Sequence, residues 1–132
     1  MDGVRLHRGA GGRRCDRVIL VVGGACSGKR AFVEDALGYA PQDCSACAED
    51  SAPVAVDVQD MVRERSKEDL LALLKDKRVV VCDEVGCGIV PLDPGDRAWR
   101  ERVGRLCCDL AVHADTVVRM VCGIPQVIKG SL

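Results

Sequence analysis

The chain has 132 residues, 48% of them apolar, with 19 Lys and Arg against 20 Asp and Glu. That length suits one domain with one packed core, and the nearly cancelled charge excludes the basic footprint of a nucleic-acid or membrane-surface binder. Three aromatic residues, Phe32, Tyr39 and Trp99, leave the core to aliphatic side chains and cysteine and exclude base-stacking platforms.

Residues 1–16 form a basic, glycine-rich leader without periodicity, which reads as a disordered tail ahead of a single domain over residues 17–132. Arg13, Arg14 and Arg17 precede an apolar run, Val18 to Val22, that is shorter than the roughly 7 to 15 residues of an export signal. A cytoplasmic location is therefore expected. No run is long enough to span a membrane. The nine cysteines are an odd number, and Cys82 and Cys122 sit inside apolar runs, which fits free thiols in a reducing compartment better than a disulfide framework. Cys44 and Cys47 have a paired-ligand spacing without a second pair, so loop cysteines and a metal or redox site are both open there.

In chain order, the first strand is expected at Val18 to Val22, followed by a helix over Lys29 to Leu37 with Phe32, Val33, Ala36 and Leu37 on one face and Gly38 as its stop. Pro41 to Pro53 reads as a polar loop. A second strand spans Val54 to Val58. Ser66 then caps a helix with Asp69 at its third position and Leu70, Leu71, Leu73 and Leu74 as its apolar face. The third strand, Arg78 to Cys82, runs into Asp83 and Glu84 and a glycine-bearing loop, Gly86 to Pro91. A long helix over Asp96 to Ala114 carries Trp99, Val103, Leu106, Cys107, Leu110 and Ala111 at helical spacing. The fourth strand is Thr116 to Cys122, and a short fifth covers Gln126 to Lys129 after a turn at Gly123-Ile124-Pro125. Strands alternating with helices predict an α/β fold with a mostly parallel sheet of about four to five strands.

Gly23-Gly24-Ala25-Cys26-Ser27-Gly28-Lys29 fits the G-x-x-x-x-G-K phosphate loop of a P-loop NTPase and lies between a hydrophobic strand and an amphipathic helix, as the mechanism requires. Glycines let backbone N–H groups turn toward phosphate oxygens, the helix start adds partial positive charge, and Lys29 reaches the outer phosphates. Arg30 replaces the Ser or Thr that normally contacts Mg²⁺, and an arginine cannot ligate a cation. Magnesium would then be held by carboxylates and water, or Arg30 would itself neutralise phosphate charge, or the site would bind nucleotide without efficient turnover. Asp83 and Glu84, at the end of a buried strand, are placed to anchor magnesium or polarise a water, and Asp57 is a further acidic candidate. His7 and His113 lie in the tail and at a helix end, where neither is placed as a base.

The phosphate loop followed by Asp83-Glu84-Val85-Gly86-Cys87-Gly88-Ile89-Val90-Pro91 resembles the bifunctional adenosylcobinamide kinase/adenosylcobinamide-phosphate guanylyltransferase family. Gly104-Arg105 through Leu110-Ala111, Ala114-Asp115 and Gly123-Ile124-Pro125 match further family segments, so the resemblance covers residues 17–37 and 54–130. It implies a RecA-like sheet, use of ATP or GTP with Mg²⁺, a corrinoid substrate (adenosylcobinamide), a role in cobalamin biosynthesis or salvage, and a homo-oligomer, a trimer in the family. In the resemblance Glu84 corresponds to the glutamate of the E-V-G motif and Asp57 to an acidic residue near the nucleotide; together with Lys29 of the loop, Glu84 is the expected catalytic residue. Family members are longer and carry another strand and a guanylylated histidine where Pro41 to Pro53 stands here, and no histidine lies between His7 and His113. A kinase is therefore expected before a guanylyltransferase, with a catalytically reduced nucleotide-binding subunit or sensor as the alternative.

Overall fold

The computed structural model of the chain describes residues 17–87 and 89–132. The expected leader, residues 1–16, and Gly88 lie outside the described residues. The elements are β1 (Ile19–Gly23), α1 (Lys29–Asp35), β2 (Cys44–Ser45), β3 (Val54–Ala55), α2 (Val58–Met61), α3 (Lys67–Leu74), β4 (Val79–Asp83), α4 (Pro94–His113), β5 (Thr116–Val121) and β6 (Ile124–Lys129). Among the described residues one six-stranded sheet forms, in the order β2-β3-β4-β1-β5-β6. Its first five strands are parallel, and β6 is antiparallel to β5.

The apolar runs are continuous because both faces of the central strands are covered. Leu20, Val80, Cys82 and Val117 pack on one face with Leu70 and Leu74 of α3 and with Val103, Leu106 and Leu110 of α4. Val21, Val79, Val81, Val118 and Met120 pack on the other with Phe32 and Val33 of α1. With α1 on one face and the later helices on the other, β2, β3 and β4 step back toward β1 while β5 lies beyond it. Such a reversal opens a crevice at the carboxyl ends of the strands.

Helix ends follow their side chains. The Ser66 hydroxyl accepts from the Asp69 N–H at 3.2 Å, with Glu68 and Asp69 in the positive first turn of α3. The Asp93 carboxylate accepts from the Gly95 N–H at 2.7 Å, and Pro94 opens α4 two residues before the expected start. Gly38, with φ at +79°, follows α1, which ends at Asp35 rather than Leu37.

Three expectations are corrected. Among the described residues the sheet has six strands rather than four or five, because Pro41 to Pro53 is not all loop: Cys44 and Ser45 pair with Val54 and Ala55 as an edge strand. The buried Lys77 ammonium steadies the end of that segment by donating to the carbonyls of Asp50 and Ala52. The strand expected over Val54 to Val58 stops at Ala55, because Asp57 adopts a left-handed φ of 53° and Val58 opens α2. The last turn is Cys122-Gly123, at φ 51° and 76°, the mirror-image turn that suits a two-residue hairpin. Ile124 and Pro125 thus belong to β6, an edge strand where a residue lacking N–H is tolerated.

Leu70, Leu74 and Leu106 are fully buried, each burial stabilising by about 1.5–3 kcal/mol. Leu74→Ala should lower the unfolding free energy by roughly 2–5 kcal/mol and Ser66→Ala by about 1 kcal/mol in urea titration. Equal losses would contradict the assignment of Leu74 to the core and Ser66 to a surface cap.

Candidate functional site

The loop from Gly23 to Lys29 folds around the Lys29 side chain. Its Nζ donates to the Gly24 carbonyl at 2.6 Å and the Gly23 carbonyl at 3.2 Å, lies 3.4 Å from Ser27 Oγ, and forms an ion pair with Asp83 Oδ1 at 2.7 Å. The lysine side chain is only 8% exposed, so its charge depends on these partners. Glycine is required at two points. A Cβ on Gly23 would stand 2.6 Å from Ser27 Oγ and 2.7 Å from the Met120 carbonyl oxygen. Gly28 has φ at +94°, and a Cβ there would meet the Cα of Gly123 at 3.0 Å. The hairpin turn is tied to the loop by the Gly123 N–H donating to the Ser27 carbonyl at 2.9 Å.

Asp83 is fixed from the opposite side. Its N–H donates to Gln59 Oε1 at 3.0 Å, and the Gln59 carbonyl accepts from Trp99 Nε1 at 2.7 Å. The Arg63 guanidinium lies 4.0 Å above the Trp99 ring. Helices α2 and α4 thereby position the carboxylate that meets Lys29.

A cleft of about 580 Å³ opens over this arrangement, lined by Ala25 to Ala31, Val56, Asp57, Val81 and Asp83. The structure therefore brings Ala25, Cys26, Ser27, Gly28, Lys29, Arg30, Asp57 and Asp83 to one place, with Gly23 and Gly24 beneath them as partners of Lys29. Asp57 and Cys26 both take left-handed backbone, at φ 53° and 57°. Such strain in non-glycine residues persists where the surroundings impose it and clusters at functional sites.

Glu84 goes elsewhere. It pairs in a fork with Arg119, at 3.0 and 3.2 Å, and lines a second, largely apolar cavity of about 340 Å³ with Leu20, Val22, Val103, Cys107 and Ile128. The neighbouring carboxylates thus have different cationic partners, Lys29 for Asp83 and Arg119 for Glu84. The hydrogen bond between the two sulfurs holds the Cys107 thiol below its ordinary range, while that bond and burial push Cys82 up. Burial also raises Cys44, which opens β2, whereas Cys47 is exposed. Among the described residues no cluster of three or more His, Cys, Asp or Glu side chains is arranged to hold a metal ion, and no helix is long and apolar enough to cross a membrane.

Sequence reasoning missed Gln59 and Arg119, and it read Gly123 as part of a turn without its contact to the Gly23 to Lys29 loop. The first two carried no motif, and their partners lie 24 and 35 residues away. A Cys-Gly pair between two apolar runs was the available signal for the third, since glycine suits the left-handed position of a hairpin turn.

The fold and cleft define an α/β protein with a buried lysine at the carboxyl end of a parallel sheet. The family model described as cobinamide kinase / cobinamide phosphate guanyltransferase matches residues 43–128, nearly two thirds of the chain, and the chain belongs to that family. Its members use a nucleotide and act on cobinamide in cobalamin biosynthesis. Comparison with curated proteins finds no match. The matched region begins after the Gly23 to Arg30 loop, so loop geometry and family membership are separate observations.

Gly28→Ala should destabilise more than Gly38→Ala. Both place a side chain at positive φ, at about 1–2 kcal/mol, but only Gly28 also meets a neighbouring backbone, whereas Gly38 faces open space. Urea midpoints compare the two, and equal losses would remove the contact between the loop and the hairpin.

Proposed function

We propose that the chain is a nucleotide-dependent adenosylcobinamide kinase of the P-loop NTPase class, with residues 17–132 working as one nucleotide-binding domain in the cytoplasm. The observation that carries this reading is the Lys29 ammonium, held 2.7 Å from Asp83 at the base of a cleft that begins at the start of α1. Phosphate oxygens of ATP or GTP would take over the places of the Gly23 and Gly24 carbonyls as its partners. That exchange leaves the cation where negative charge grows during phosphoryl transfer.

Backbone N–H groups of Gly24 to Lys29 would cradle the phosphates, and α1, whose cap residue Gly28 offers no side-chain acceptor, leaves its first N–H groups available to them. Asp57 and Asp83 are hard oxygen donors on the same cleft and fit a magnesium ion held through water and phosphate oxygens. When bound, magnesium neutralises phosphate charge. Glu84, oriented by Arg119 beside the apolar cavity, is assigned to the acceptor side, where a carboxylate can take the proton of the attacking hydroxyl. The kinase half of the family's description is placed first because the chain has no histidine between His7 and His113 to carry a guanylyl group. Assembly into a homo-oligomer, a trimer by family resemblance, belongs to the same reading and is supported by exposed Ile124, Val127 and Ile128 on β6.

Purified protein with Mg²⁺, adenosylcobinamide and ATP or GTP should yield the phosphate ester, detected by mass spectrometry. No product above a Lys29→Ala control would sink the kinase reading.

Arg30 on the cleft wall favours a second reading, a catalytically reduced nucleotide-binding subunit or sensor. This predicts micromolar nucleotide binding, about 8 kcal/mol, without turnover, and magnesium-dependent turnover on Arg30→Ser. Robust turnover by the unmodified chain would eliminate it.

A further inference from the structure

Two thiols outside the phosphate cleft lie against each other. Cys82, on β4, is fully buried, and its sulfur is 3.5 Å from that of Cys107 on α4. Cys107 is half-buried and lines the 340 Å³ cavity together with Cys108, so a small solute entering the cavity meets Cys107 before Cys82. A disulfide needs its sulfurs about 2 Å apart, so closing this pair asks for an approach of roughly 1.5 Å.

We propose that Cys82 and Cys107 form an oxidisable thiol pair, a modification site for hydroperoxides that closes into an intramolecular disulfide stapling β4 to α4. The Cys107 thiolate attacks one peroxide oxygen, forming an S–O bond and breaking the O–O bond, and the departing hydroxide takes a proton to become water. The Cys82 sulfur then attacks the Cys107 sulfenic sulfur, forming the S–S bond. The S–O bond breaks as the second oxygen leaves, protonated, as water. Two thiols lose two hydrogens and two electrons, and hydrogen peroxide is reduced to two waters. Disulfides of this kind in a reducing compartment are transient and redox-responsive. The cross-link spans 25 residues and falls one residue before Asp83, on the strand that presents the carboxylate to Lys29.

The test uses the full chain, reduced, freed of reductant and exposed to hydrogen peroxide. Remaining thiols are alkylated under denaturing conditions before proteolysis. The expected product is a peptide bearing Cys82 joined to one bearing Cys107, two hydrogens lighter than the reduced pair and released by dithiothreitol. The thermal midpoint should rise by roughly 10 °C on oxidation, and this rise should vanish in Cys107→Ala. Cys82 recovered in alkylated form, with Cys107 over-oxidised or joined to another cysteine, would overturn the proposal. So would an unchanged midpoint, or a rise that persists in Cys107→Ala.

Discussion

The structure turns on the accommodation of one ammonium group. Lys29 is buried at the point where β1 gives way to α1, and a buried cation is tolerated only when its donors are satisfied and its charge is met. Gly23 and Gly24 supply carbonyls, and Asp83 supplies the charge. The register of β4 against β1 meets that demand by bringing Gly23 opposite Asp83.

Other features follow from holding this group. Gly23 carries no side chain because Ser27 and the Met120 carbonyl already fill the space. Gly28 turns left-handed against Gly123, so the β5–β6 hairpin buttresses the loop from behind. On the far side, Trp99 holds Gln59, and Gln59 holds the backbone of Asp83. The loop is therefore braced by elements from within the matched family region as well as by its own strand and helix.

Much of this was legible in the sequence. The apolar runs marked β1, β4 and β5, Ser66 marked the start of α3, and the glycine spacing marked the loop around Lys29. What could not be read were elements with little local signal. Cys44 and Ser45 form a strand only because β3 offers an edge, and two residues carry no periodicity. Asp57 interrupts an apolar run that reads as a strand, since a left-handed aspartate looks like any other in sequence. Asp83 and Glu84 are adjacent in the chain, yet they meet different cations contributed by distant segments.

By itself the sequence determined the α/β class, the position of the glycine loop, the Ser66 cap of α3 and the family to which the chain belongs. These depend on periodicity, spacing and contacts a few residues apart. Only the tertiary structure decided that Lys29 would face Asp83, that Glu84 would be taken by Arg119, that Gly123 would press on Gly28, and that Cys82 would touch Cys107. Each of these pairs is far apart in the chain. They meet because strand order and register bring them together, and those are set by packing both faces of the sheet at once.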